Sequence, residues 1–377
     1  MAHTMRAAQY HKESGKVLLR QIPVPEPEVG QFQVRIVAAS LCHSDLMMDQ
    51  RPDSLKRPLT IGHEGVGIIS KMHPSCEDEG FRLGDKVGML CIIDSCFSCE
   101  GCVVHATFCT AGKNGGPKIQ GLQADGVFAE FAVTDWQNVI HLPESLPIEK
   151  MSPLFCAGIT GRSLSSSGFT CTTSVCGTGF HAKLTIPSLP RRQQPGEWLA
   201  VVGCGGLGQL AIQYAKAMGL HVIGLDINDY MLETAIRNGA DATFNPSKDG
   251  TFFKAIRKLT GTRGCHAAAV FSDSRAAYAT AIRSLTFNGL LMVVGMPDKP
   301  LELPAFAVST NLYRVKGASN GTAAELKEAV KFTAQHRIVP EVEFRGLHEM
   351  PQMWEEMAQG KAKRKLVVLF GSNQPKM

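Results

Sequence analysis

The chain has 377 residues, a formal charge of +5, 44% hydrophobic residues and 19% charged ones, a composition that fits a two-domain globular enzyme and excludes a disordered chain. No apolar run approaches the roughly 20 residues that span a bilayer, and the start, Met-Ala-His-Thr-Met-Arg, lacks the apolar stretch of a secretory signal. Lys and Arg are scattered instead of forming the basic stripe of a nucleic-acid binder, so the expectation is a cytosolic protein without membrane or nucleic-acid partners.

The first half is rich in glycine, proline and short β-branched runs, such as Gln33-Val34-Arg35-Ile36-Val37 and Val66-Gly67-Ile68-Ile69. These predict mostly antiparallel β structure. Within it, Cys42-His43-Ser44-Asp45 and Gly62-His63-Glu64 gather metal-ligating residue types, and Cys156 follows in Phe155-Cys156-Ala157-Gly158. Two thiolates and an imidazole with one open position suit a catalytic zinc. The plain alternative is that these dispersed residues are structural.

Cys96-x-x-Cys99-x-x-Cys102 and Cys109 place four of the twelve cysteines within fourteen residues. Disulfide frameworks belong to short secreted chains, whereas four thiolates at this spacing suit tetrahedral zinc in a closed structural site. Bacterial ferredoxin runs begin the same way, but their fourth cysteine follows after three residues and precedes proline. Here six residues intervene and Thr110 follows. Four free thiols so close together would be an oxidation hazard.

Arg162 to Pro195 fits poorly, with 34 residues, eleven of them Ser or Thr, none acidic and no clear period. Connections of that length are uncommon inside a compact domain. Beyond Gly196 the pattern changes. Leu199 to Val202 predicts a strand, and a helix with Leu207, Leu210, Ala211, Tyr214 and Met218 on one face ends at Gly219. Further strands are predicted at His221 to Asp226, around Thr243-Phe244, at Ala267 to Phe271 and at Leu290 to Val294. Helices are predicted at Asp229 to Asn238, Phe252 to Leu259 and Arg275 to Ser284. Alternating strands and helices predict an α/β doubly wound parallel sheet.

Gly203-Cys204-Gly205-Gly206-Leu207-Gly208 lies between the first strand and its helix, and Asp226 follows eighteen residues after Gly208. In that context G-x-G-x-x-G reads as a dinucleotide site. Gly203 allows the tight turn, Gly205 lets backbone approach a pyrophosphate, and Gly208 lets helix and strand pack closely. The helix N-terminus offers unpaired N–H groups to phosphates. Asp226 would accept hydrogen bonds from a ribose diol and repel a 2′-phosphate, which favours NAD over NADP. The bland alternative is a glycine-rich turn that binds nothing, with Asp226 capping the next helix.

Together these motifs, with Gly62-His63-Glu64-Gly65-Val66-Gly67, Gly84-Asp85-Lys86-Val87 and Cys156-Ala157-Gly158-Ile159-Thr160, resemble the zinc-containing medium-chain alcohol dehydrogenases of the microbial type over nearly the whole chain. The Cys₂His ligand set is itself the known example from that family. The resemblance implies a GroES-like catalytic domain built from residues 1–156 and 319–377, with a Rossmann domain at 157–318. It implies two zinc ions per chain, one held by Cys42, His63 and Cys156 with Glu64 able to enter the shell, the other by Cys96, Cys99, Cys102 and Cys109. Ser44 would receive the substrate proton and Asp45 would orient His63. Gly203, Gly205, Gly206, Leu207, Gly208 and Asp226 would bind NAD, with His43 and Arg364 at the pyrophosphate and Thr160 beside the nicotinamide.

A small alcohol or aldehyde is the implied substrate, and a dimer or tetramer the implied assembly. Zinc can lower the pKa of water from 15.7 to about 7. A similar gain for an alcohol, about 9 units, is worth roughly 12 kcal/mol, more than any hydrogen bond from Ser44 supplies.

The chain departs from the family in three places. Val103 to Phe108 gives six residues before the last cysteine where seven are usual. Met47 stands where a relay histidine is often found. The third departure is the 162–195 segment, a genuine insertion or a gene-prediction artefact, of which the artefact is preferred. Two other readings are a tailoring reductase for a larger carbonyl compound, suggested by polar Asp49-Gln50-Arg51-Pro52-Asp53, and a non-catalytic scaffold that binds NAD and zinc.

Overall fold

A computed structural model describes residues 3–50, 57–166, 195–261, 263–297 and 299–371. Arg51 to Asp53 and most of the 162–195 segment lie outside the described residues, as do the side chains of Asp49 and Gln50. The chain folds as two compact units, Met1–Ile159 with Asn320–Met377, and Thr160–Ser319. No helix among the described residues is long and apolar enough to cross a membrane.

The first unit is built on a seven-stranded sheet. Its central strand, Gln31–Ser40, pairs antiparallel with Glu64–Met72 along one side; on the other it meets Phe131–Asp135 near its start and Lys365–Leu369 at its end. Lys86–Met89 and Val139–His141 extend one edge, and Val342–Arg345 joins Lys365–Leu369 in parallel at the other. Phe32, Val34, Ile36, Ile69, Val87 and Met89 form the core with Met353 and Trp354 of the helix Met350–Ala358.

The register matters for function. Ser40 faces Glu64 on one neighbour and Val367 on the other. Three strand ends therefore converge, and the residues just past or at those ends, Cys42, His63, Glu64 and Lys365, are brought together.

The second unit is a six-stranded sheet, parallel throughout, of Trp198–Val202, His221–Leu225, Ala242–Phe244, Cys265–Val270, Leu285–Val293 and Tyr313–Gly317. Numbered in chain order they lie 3-2-1-4-5-6, the dinucleotide-binding order, whose ligand site is at the carboxyl ends of strands beside the switch point. Period-two alternation supplies both faces. Leu199 and Val201 pack with Ala211, Ile212 and Ala215 of the helix Gly208–Ala217, while Ala200 and Val202 pack with Phe252, Ile256 and Tyr278.

Three elements differ from the sequence reading. The strand expected at Leu290 begins at Leu285, the edge strand Tyr313–Gly317 was not anticipated, and the helix Ala157–Ser166 runs into the start of the segment that showed no period.

Candidate active site

Cys42, His63, Glu64 and Cys156 each offer one ligand atom, and these atoms lie within 4.8 Å of one another. All four residues are at most 9% exposed. Asp45, fully buried, ties two of them together: Oδ1 is 2.7 Å from His63 Nδ1, and Oδ2 accepts the Cys42 backbone N–H at 2.9 Å. The bond to Asp45 occupies Nδ1 and leaves Nε2 available for a metal. Cys156 is placed by the packing of its neighbour, because the Phe155 ring sits 1.8 Å from where a Cβ on Gly88 would be. Only glycine at 88 leaves room for that ring.

The electrostatics suit a dication. A bond from the Cys156 thiol, with the charges of Lys365 and His63, outweighs burial and holds the Cys42 thiol well below its usual range. Cys156, donating that bond and buried, is pushed well above it. Burial opposes a charge on His63, but Asp45 and Cys42 outweigh it and raise its pKa. An imidazole held by a carboxylate beside two buried thiols, one already inclined to ionise, fits a Cys₂His zinc site by donor chemistry and by proximity.

Glu64 faces the same cluster and is held from behind. Its Oε1 accepts from Lys365 Nζ at 2.9 Å, and Oε2 accepts from Ser40 Oγ. Both partners of the ion pair are at least 96% buried. Burial raises the Glu64 carboxyl to about 7, with Lys365 pulling the other way. Sequence reading singled out Arg364 and missed Lys365. Arg364 is exposed one residue before the strand, while Lys365 turns into the cluster. A lysine opening the apolar run Leu366–Phe370 was the available signal. Of the remaining candidates in this unit, His43 is exposed and Ser44 half-buried, both in the single turn His43–Leu46.

The second cluster is also assembled, with Cys96, Cys99, Cys102 and Cys109 offering sulfurs within 4.8 Å of one another. Cys96 to Cys102 and Cys99 to Cys109 are each 3.9 Å apart between sulfurs. A tetrahedron with Zn–S near 2.3 Å spaces its sulfurs about 3.8 Å apart, so the donors fit zinc. The shortened spacing closes because the turn Ala106–Phe108 comes very near the helix Glu100–Val104: a Cβ on Gly101 would lie 1.9 Å from the Phe108 carbonyl oxygen. Backbone N–H groups of Thr110 and Cys102 lower the Cys99 thiol to about 5, whereas burial and the neighbouring thiols raise Cys102 to about 12.

In the second unit, Gly203 follows the first strand with φ +90°, which a glycine adopts freely. A Cβ on Gly208 would stand 2.0 Å from the Gly203 carbonyl oxygen, while one on Gly205 would meet nothing within 4 Å. The turn is thus closed behind and open in front, as a phosphate cradle requires. Gly206 and Leu207 complete the turn into the helix. Asp226 accepts the Cys204 N–H at 2.8 Å and the Asn228 N–H at 2.9 Å. Asn228, not Asp226, caps the next helix, so the capping role does not explain Asp226. Thr160 is buried near the start of the helix Ala157–Ser166.

Two family models match the chain: the alcohol dehydrogenase GroES-like domain over residues 28–144 and the zinc-binding dehydrogenase over residues 206–335. An alcohol dehydrogenase of Geobacillus stearothermophilus is 33% identical over 368 residues, covering 97% of this chain and 98% of the relative. Among solved structures, the alcohol dehydrogenase of the archaeon Aeropyrum pernix superposes with a TM-score of 0.81 at 28% identity, over 97% of this chain and all of the other. A cinnamyl alcohol dehydrogenase of Sorghum bicolor superposes at 0.80 with 25% identity over the full length of both.

Proposed function

Since this chain belongs to the zinc-binding alcohol dehydrogenase family, we propose that it transfers a hydride between an alcohol or aldehyde and NAD at a zinc held by Cys42, His63 and Cys156. The observation that carries this reading is the buried cluster of those three residues with Glu64, braced through Asp45. When bound, zinc acts as a Lewis acid that eases loss of the hydroxyl proton, and NAD accepts the hydride.

The chain's own residues do the rest. Asp45 fixes the His63 tautomer and the Cys42 backbone together, so that the ligands stand ready before metal arrives. Glu64, retained by Lys365 and Ser40, is the spare carboxylate of the site. Ser44 takes the proton from the substrate hydroxyl. With Met47 where a relay histidine is often found, no imidazole at that position would carry the proton onward. His43 and Arg364, both exposed, are assigned to the pyrophosphate, Thr160 to the nicotinamide side, and the Gly203–Gly208 turn with Asp226 to the rest of NAD. Cys96, Cys99, Cys102 and Cys109 hold a second, structural zinc. The domain division expected from the sequence, 1–156 and 319–377 around 157–318, remains our assignment, as does a cytoplasmic location.

A homo-oligomer is the proposed assembly. Its support is the strand Tyr313–Gly317, which ends the parallel sheet among the described residues, as an edge open to pairing with a second copy would. Around it Phe287, Phe306 and Leu312 are 83%, 79% and 44% exposed. Phe306→Asp should lower the mass measured by light scattering.

Dialysis against a strong chelator should abolish NAD-linked oxidation, zinc should restore it, and Cys42→Ala should be inactive. Undiminished turnover in either experiment overturns the proposal, as does a zinc content below two per chain in active protein.

A further inference from the structure

Three protein donors and one free position make a zinc site catalytic, whereas four protein donors close it. The buried cluster offers four, because a Glu64 oxygen lies within 4.8 Å of the ligand atoms of Cys42, His63 and Cys156. Left to itself, a buried carboxylate so near a dication would complete the tetrahedron and shut out the substrate. Two neighbours engage it instead. Lys365 Nζ donates to Oε1 at 2.9 Å and Ser40 Oγ donates to Oε2, so each carboxylate oxygen already has a partner.

Strand register explains the arrangement. Ser40 pairs with Glu64 across one ladder and with Val367 across the other, and paired residues share a sheet face. Lys365 lies two positions before Val367 and so shares that face too. Lys365 is 4% exposed, and Glu64 and Ser40 are fully buried, which leaves little water to compete for either contact. Burial opposes a charge on Lys365, but the Cys42 thiol, Glu64 and the Cys156 thiol outweigh it and hold its pKa above the usual lysine value. The ammonium therefore acts on two ligand sulfurs as well as on the carboxylate.

We propose that Lys365 is a positioning residue that keeps Glu64 out of the coordination shell of the zinc and so leaves the fourth position to the substrate. This rests on the assignment of Cys42, His63 and Cys156 as the catalytic zinc ligands. A buried carboxylate needs a cationic partner, because leaving it unpaired is strongly unfavourable. With the ammonium present, that partner is Lys365; without it, the metal takes that place. Removing a residue that braces a metal site ordinarily weakens metal binding about 10–100-fold. Here the sign is reversed, since removing Lys365 frees a donor and should slow the release of metal.

The test uses the full-length protein, loaded with zinc for release kinetics and with cobalt(II) for absorption spectra. Zinc release into a chromogenic chelator should show a phase that is absent in Cys42→Ser, which marks the catalytic site. That phase should slow at least about tenfold in Lys365→Met. Imidazole, a small neutral donor, should shift the cobalt spectrum of the wild type by taking the open position. Lys365→Met should need at least about tenfold more imidazole for the same shift. Lys365→Arg, which keeps the charge, should behave as the wild type does, and Glu64→Gln/Lys365→Met should release zinc at least as fast as the wild type. Ser40→Ala removes the other holder and makes the same test if Lys365→Met does not fold. Release phases identical in wild type and Cys42→Ser would sink the catalytic assignment and the inference with it. Release unchanged or faster in Lys365→Met, or imidazole bound equally by that variant and the wild type, overturns the inference while the zinc assignment stands.

Discussion

Replacing Lys365 with methionine keeps most of the side-chain length and removes the charge that faces Glu64. Because Glu64 is fully buried, taking away its partner should cost about 3–5 kcal/mol, the usual loss when a buried pair is broken from one side. Part of that is avoided if the carboxyl holds its proton, and this makes the loss depend on pH. In the wild type the carboxyl titrates near 7, above the ordinary 4.5, because burial outweighs the attraction of Lys365. A raised folded pKa gives stability that is present below the unfolded pKa and lost as pH rises through the folded one. The wild type has finished losing it just above pH 7. The variant, with a still higher pKa, goes on losing it.

Between pH 6 and pH 8 the two proteins therefore diverge by about 1.4 kcal/mol, a factor of ten in the unfolding equilibrium. Urea unfolding followed by tryptophan fluorescence, with chelator present so that only side-chain charges act, measures this directly. The double variant Glu64→Gln/Lys365→Met should recover much of the loss and flatten the pH dependence, since neither partner is then left unpaired. An equal penalty at both pH values, with no recovery in the double variant, would refute the account of the pair.

Gly101→Ala forces a methyl group onto the Phe108 carbonyl; overpacking of this kind costs about 1–3 kcal/mol, and zinc content by atomic emission should fall from two per chain toward one. Asp226→Ser removes an acceptor that also holds the backbone of Cys204 and Asn228. The KM for NAD should rise at least about tenfold while that for NADP falls relative to it; unchanged cofactor preference would count against the ribose role. Loading zinc into metal-free protein at pH 7 should release at least two protons and fewer than six. Cys102 and Cys156 enter protonated, while Cys99 and Cys42 are inclined to enter as thiolates. Zinc affinity should accordingly weaken as the pH falls. An indicator-dye titration that shows no release would overturn this.

The parts of the molecule that were legible in the sequence are those where local chemistry dictates local structure. The first strand of the parallel sheet, Trp198–Val202, is a short apolar run followed at once by Gly203. The ligand motifs likewise sit in turns whose spacing follows coordination geometry. The edge strand Tyr313–Gly317 escaped because Arg314 and Lys316 interrupt its apolar run, as is usual where one side of a strand faces water. The early start of Leu285–Val293 escaped because Asn288 adopts positive φ and Phe287 points outward, which hides the period. The partner of Glu64 was invisible for a different reason. Arg364 and Lys365 are adjacent cations, and only pairing with a strand more than 300 positions earlier decides which turns inward.

Glu64 and Lys365 stand 301 residues apart in the chain. At roughly 5–20 residues per second, about 15–60 s of translation separate the buried anion from its counter-ion. Throughout that interval the nascent first unit lacks the strand Lys365–Leu369 and presents an open edge at Ala38 to Ser40. The complete Thr160–Ser319 unit is synthesised in the meantime. On the ribosome, then, the catalytic half of this enzyme is the last part to become whole although its first residues emerge earliest, and a nonsense mutation shortly before codon 365 would strip the metal pocket of its charge balance while sparing every ligand.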